Sequence, residues 1–217
     1  MTEDLADVSG TLLLTVEELG DVDDQPSNTI LLQGELRDGI GSLEFVNETM
    51  TDATGQYLLA TPSDGPNTNE TSGVWFIEIT DGEEIAGLQL PEAPTGWIYE
   101  GWVSNGLDIL TVGQFATGDT ADNFSEYNAE GDVPPFPGED FLVNPPETYE
   151  FPYDLAVDGT RVFITLEPEF KPAGDESILS LDILEGSLSA GSQAAAPYQL
   201  DNIADSHLPS GLVIIRR

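Results

Sequence analysis

The stretch GWIYEGWV, residues Gly96–Val103, decides the fold class. Read as a strand, Trp97, Tyr99, Gly101 and Val103 share one face, while Ile98, Glu100 and Trp102 share the other. One face is apolar with a glycine gap, and the other sets a Trp beside a carboxylate. A central strand of a sandwich has this pattern, with a Trp buried between sheets. The competing reading is a platform of exposed rings, which makes Trp97 and Trp102 candidate aromatic contacts to a glycan or protein partner.

The rest of the chain is written in the same way. Short apolar segments rich in β-branched and aromatic residues are divided by Gly, Pro, Asn and Asp clusters, and helical periodicity is almost absent. Strands are expected near Thr11–Val16, Thr29–Leu36, Leu43–Val46, Tyr57–Thr61, Val74–Ile79, Ile85–Leu90, Trp97–Val103, Leu110–Phe115, Asp154–Val157, Arg161–Leu166, Ile178–Leu184 and Gly211–Ile215. That set predicts an all-β, antiparallel β-sandwich with little or no helix. Residues 1–10 read as a flexible N-terminal segment and 11–217 as a single domain.

An echo runs through the chain. LLLTVEE (Leu12–Glu18) leads through a polar loop to ILLQGEL (Ile30–Leu36), and VFITLEP (Val162–Pro168) leads likewise to DILEGSL (Asp182–Leu188). Each unit is a strand, an acidic loop containing Pro and a strand ending in Gly. The domain is therefore expected to hold two repeated β-hairpin units, 11–37 and 161–188, with chance similarity as the alternative.

Charge narrows the partners. The chain of 217 residues has 41 acidic residues against five basic ones, a formal net charge of −36. The basic set is Arg37, Arg161, Lys171, Arg216 and Arg217. Such a chain cannot neutralise phosphates, which excludes nucleic acid, and an anionic membrane surface repels it. Two explanations of the charge remain. One is adaptation to a saline environment, where screening relieves self-repulsion and hydrated carboxylates keep the surface soluble. The other is divalent-cation binding by oxygen ligands. There is no cysteine, so disulfides and thiolate metal sites are absent. The longest apolar runs, such as Leu212–Ile215, are too short to insert across a membrane. The opening MTEDLADVSG has neither the basic nor the apolar region of a signal peptide.

Tyr99-Glu100-Gly101-Trp102-Val103, Val112-Gly113-Gln114-Phe115, Val162–Pro168 and Ile183-Leu184-Glu185-Gly186 together resemble the extracytoplasmic C-terminal domain of anti-sigma-K-type factors. SGVWF (Ser72–Phe76), GWIYEGWV and FPGEDFLVNPP (Phe136–Pro146) are more similar to exported, lipoprotein-like relatives of that domain in halophilic and marine microbes. The resemblance implies a β-sandwich that is periplasmic, secreted or surface-anchored. It does not imply sigma-factor binding, which belongs to a separate helical domain, and it supplies no site residues.

The loop Gly118–Pro137 is the longest irregular stretch and offers Asp119, Asp122 and Asn123 as candidate calcium ligands. Its carboxylates are irregularly spaced, and Asp21, Asp23 and Asp24 form a similar unspecific group. The lone His207 has no second His or Cys to work with, so it reads as a surface or turn residue. Sequons stand at Asn47, Asn69 and Asn123. Arg161 and Arg37 are each placed to pair with a nearby carboxylate. The function expected is a non-catalytic module that binds, senses or scaffolds at a cell surface. Two alternatives are a structural subunit assembling through edge strands such as GLVIIRR, and a carboxylate-based glycoside hydrolase.

Overall fold

The computed structural model describes residues 9–22, 25–66, 68–106, 109–176 and 179–215. Fifteen strands account for most of the regular structure, and every pairing is antiparallel. The all-β expectation holds, with 40% of residues in strands and 6% in helix.

Strand β9 (Trp97–Ser104) lies between β10 (Ile109–Phe115) and β12 (Arg161–Pro168). Beyond β12 the large sheet continues through β13 (Leu181–Ser187), β14 (Tyr198–Asn202), β4 (Thr54–Leu59), β5 (Gly73–Trp75) and β11 (Gly138–Asp140), and β8 (Leu88–Gln89) also pairs with β4. The two ends of this sheet, β10 and β11, come back toward each other, so it is a nearly closed, barrel-like layer. A smaller sheet runs β1 (Gly10–Thr15), β2 (Ile30–Arg37), β3 (Ile40–Phe45), β15 (Gly211–Ile214). A hairpin of β6 (Ile77–Thr80) and β7 (Glu83–Ala86) stands apart. The only α-helix among the described residues is Ala204–His207, and none is long and apolar enough to cross a membrane.

The core follows from strand alternation. Tyr99 and Val103 of β9, Val162, Ile164 and Leu166 of β12, and Ile183 of β13 point into one apolar cluster with Tyr57, Phe76 and Phe115. Gly101 is the gap on that face. A methyl group there would meet the Phe76 ring at 3.0 Å and Val112 at 3.1 Å, so the missing side chain is what lets Phe76 cross the strand. The small sheet adds Leu32, Leu43 and Phe45 to the same cluster. It is lashed on by Trp97, whose indole N–H donates to the Ile30 carbonyl at 3.0 Å, and by Thr29, which donates to the Gly96 carbonyl at 3.2 Å.

The two echoing units both fold as antiparallel strand pairs. Gly34 of β2 stands opposite Leu12, and Gly186 of β13 stands opposite Val162. The pairs belong to different sheets.

Sequence and structure differ in several places. Val74–Ile79 is two strands, β5 and β6, with Phe76 between them donating to the Pro137 carbonyl. Ile85–Leu90 is likewise broken at Gly87. Asp154–Val157 forms no strand, because the Asp154 carboxylate takes the Ala156 N–H and closes a local turn in place of a ladder. Strands β11 and β14 lie outside the strands expected from the sequence. Residues 1–8, Asp23, Asp24, Ile178, Arg216 and Arg217 fall outside the described set.

Candidate functional site

The face of β9 and β12 turned away from the main core is buried too, and it is polar. Register sets Phe163 opposite Trp102 and Thr165 opposite Glu100. After Pro168 the chain turns back, with the Lys171 N–H donating to the Pro168 carbonyl, and this places Lys171 over that face. Its Nζ lies 2.7 Å from Glu167 Oε2, 3.7 Å from Glu100 Oε2 and 5.0 Å from the centre of the Trp102 ring. None of these three charged side chains reaches solvent. Lys171 is also the one lysine of the chain.

Each carboxylate is held by further donors. Glu100 Oε1 accepts from Thr111 Oγ1 at 2.7 Å and from the Gly174 N–H at 2.6 Å. Gln114 Nε2 reaches Glu100 Oε2 at 3.4 Å and the Lys171 carbonyl at 2.8 Å. Thr165 donates to Glu167 Oε1 at 2.6 Å and receives the Trp102 indole N–H at 2.9 Å. Burial pushes the Glu100 carboxyl above the usual carboxylate range, while the Gly174 and Thr111 hydrogen bonds and the Lys171 charge pull it down. Two carboxylates facing one ammonium leave one proton for the cluster to hold if it is to be neutral. On its outer side, Thr111 and Gly174 border an open cleft of about 330 Å3, whose walls include Tyr127, Tyr149 and Glu176.

A second group of acids, Asp122, Glu139 and Asp140, forms no ion pair among the described residues. Asp140 Oδ2 accepts from the Ser63 N–H at 2.8 Å and from the Ser63 hydroxyl, and its Oδ1 accepts from the Trp75 indole at 2.7 Å. Glu139 accepts from the Tyr127 N–H at 2.8 Å and from Asn128 Nδ2 at 3.3 Å. Asp122 accepts from the Phe124 N–H at 2.8 Å and the Gly138 N–H at 3.0 Å. These carboxyls tie the loop 116–137 and the loop 61–72 to strand β11. Burial pushes Glu139 up to about 9 and Asp122 up to about 6, and it raises Asp140 as well.

The candidate calcium ligands do not converge. Asp119 is exposed and accepts from Thr117 Oγ1 at 2.6 Å. Asp122 turns inward to the amides just named, and Asn123 caps β10 through its side-chain oxygen, 2.9 Å from the Gln114 N–H. Among the described residues no group of three or more His, Asp or Glu is arranged to hold a metal ion. Trp97 and Trp102 are both buried, and each uses its N–H within the fold. His207 is exposed and its Nδ1 lies 3.0 Å from the Ile203 carbonyl. Arg161 pairs with Glu185 and, at 3.9 Å, with Asp182, while Arg37 is exposed at the end of β2.

Lys171, Glu167, Thr165, Thr111 and Gln114 were not marked in the sequence as a group. The available signal was polar alternation inside otherwise apolar strands: Thr165 and Glu167 in VFITLEP, Glu100 in GWIYEGWV, Thr111 and Gln114 in LTVGQF. Comparison with protein-family models, curated proteins and solved structures gives no match.

Proposed function

We infer that this protein is a non-catalytic β-sandwich module working outside the cytoplasm of a halophilic or marine microbe, where it binds, senses or scaffolds at the cell surface. The observation that carries the reading is the placement of Lys171. The chain's one lysine ammonium is sealed inside with Glu100 and Glu167, so the outer surface of the described residues is left to carboxylates, Arg37 and Arg161. Such a surface is soluble and least self-repelling in concentrated salt. The resemblance to the anti-sigma-K-type extracytoplasmic domain supports the same compartment, and the partner is then a protein or a glycan. Thermal unfolding across a NaCl series, repeated with calcium added or chelated at constant ionic strength, tests the reading. A melting point that climbs smoothly with salt and ignores calcium supports it. A saturable rise with calcium at fixed salt moves the function to cation binding by the acidic loops.

A second reading, a subunit that assembles through its edges, is favoured by strand β15. It is an edge strand of the small sheet, and Leu212 and Ile214 are 65% and 50% exposed beside Ile40 at 56%. Apolar side chains on an unpaired edge invite a further strand.

A further inference from the structure

The Lys171 cluster holds the parts of an amide-forming site. A primary amine and two carboxyl groups meet with no solvent exposure, and the groups around Glu100 differ from those around Glu167. Glu100 Oε1 lies between two donors, Thr111 Oγ1 and the Gly174 N–H. Two donors aimed at one carboxyl oxygen are what stabilises the oxyanion of a tetrahedral intermediate. Its other oxygen, Oε2, faces Lys171 Nζ at 3.7 Å. Glu167 instead contacts the amine directly at 2.7 Å and is oriented by Thr165, which suits a proton carrier.

We propose that Lys171 and Glu100 condense spontaneously to an intramolecular amide, with Glu167 as the proton shuttle, giving a covalent staple between β9 and the turn that follows β12. The step balances without any oxidant or co-reactant. Glu167 takes one proton from the ammonium, and the free amine pair attacks Cδ of the protonated Glu100 carboxyl. The C=O pair moves onto Oε1, where Thr111 and Gly174 receive it. As the intermediate collapses, Glu167 delivers its proton to the departing hydroxyl of Glu100 and takes the second amine proton in exchange. One C–N bond forms, one C–O bond breaks, one water leaves, and nothing is oxidised or reduced. The water has an exit, since Thr111 and Gly174 line the open cleft. Holding the amine and the carboxyl in place supplies the orientation that the same condensation lacks between separate molecules in water. Burial also raises the Glu100 carboxyl, toward the acid form the attack needs.

Intact mass of the full chain, unfolded in guanidinium, tests this directly. The expected mass is lower than the sequence mass by one water. An amine-reactive label applied to the unfolded chain then marks the N-terminus alone, because Lys171 is the only other primary amine. Fragmentation of a chymotryptic digest is expected to show Lys171 joined to Glu100. The full sequence mass with Lys171 labelled overturns the proposal, and so does a linkage to Glu167. Glu167→Gln is expected to retain the water and leave Lys171 open to the label; if it loses the water as the parent does, the shuttle assignment falls.

Discussion

Thr165 of β12 stands directly opposite Glu100 of β9, and its hydroxyl donates to Glu167 two residues along the same strand. That one register position brings two acids to the same buried face and makes a partner for Lys171 necessary. Removing one member of a buried ion cluster leaves the others uncompensated in a low-dielectric site, a larger loss than the cluster is worth as a whole.

Lys171→Met leaves Glu100 and Glu167 buried with neither an ammonium nor an amide nitrogen to meet them, and is therefore expected to cost about 3–5 kcal/mol of stability at neutral pH. The triple change Lys171→Met, Glu100→Gln, Glu167→Gln is expected to recover much of it. Urea unfolding of the two variants beside the parent chain checks the order. A single variant as stable as the parent would mean that the charges are solvated after all.

The acids at the loop junction set the pH dependence. Glu139 is raised from 4.5 to about 9 in the folded chain, so between those values the native state holds a proton that the unfolded state has released. Stability then falls as pH rises through that window, by at most about 1.4 kcal/mol per pH unit for this group. Asp122 acts in the same sense from 3.8 to about 6. Denaturant midpoints from pH 5 to 9 in high salt are expected to decline. Glu139→Gln, which keeps the shape and removes the titration, is expected to flatten the upper part of the curve.

Gly34 is required by close approach, since a methyl group there would run into the carbonyl of Ser42 on β3. At Gly186 the nearest atoms, the Gln199 carbonyl, Leu200 and the Tyr57 ring, would stand at 3.0 Å. Gly34→Ala is expected to lose about 1–3 kcal/mol through displaced backbone, and Gly186→Ala less, because two of its neighbours are side chains. Melting temperatures of the pair rank them.

If the exposed edge of β15 drives assembly, sedimentation in high salt will show a mass that grows with protein concentration. Leu212→Lys with Ile214→Lys is expected to hold the chain monomeric at every concentration, because charges on an edge oppose strand addition. A parent chain that is monomeric throughout would end the edge-assembly reading and leave the binding module.

Much of the fold could be read from local pattern. GWIYEGWV and VFITLEP alternate with period two, so their faces are written in adjacent residues and survive any choice of neighbours. Strands β11 and β14 were invisible for the opposite reason. Gly138-Glu139-Asp140 has no apolar side chain and Tyr198–Asn202 alternates only over Tyr198 and Leu200, and they are strands because β5, β4 and β13 supply ladders for them. Asp154–Val157 looked extended and is not, because a side chain of its own captured the backbone.

The candidate site divides in the same way. Composition alone fixed an acidic, cysteine-free, all-β chain with one lysine, since charge and alternation are short-range properties that each residue carries with it. It could not say that this lysine is buried against Glu100, 71 positions earlier in the sequence, or that Asp119, Asp122 and Asn123 point to three different partners. Those outcomes depend on strand register, on how the turn after Pro168 closes and on how the loop after β10 folds back, and only the packed sheet decides them: a one-residue slip of β9 or β12 would send Glu100 or Glu167 to the opposite face.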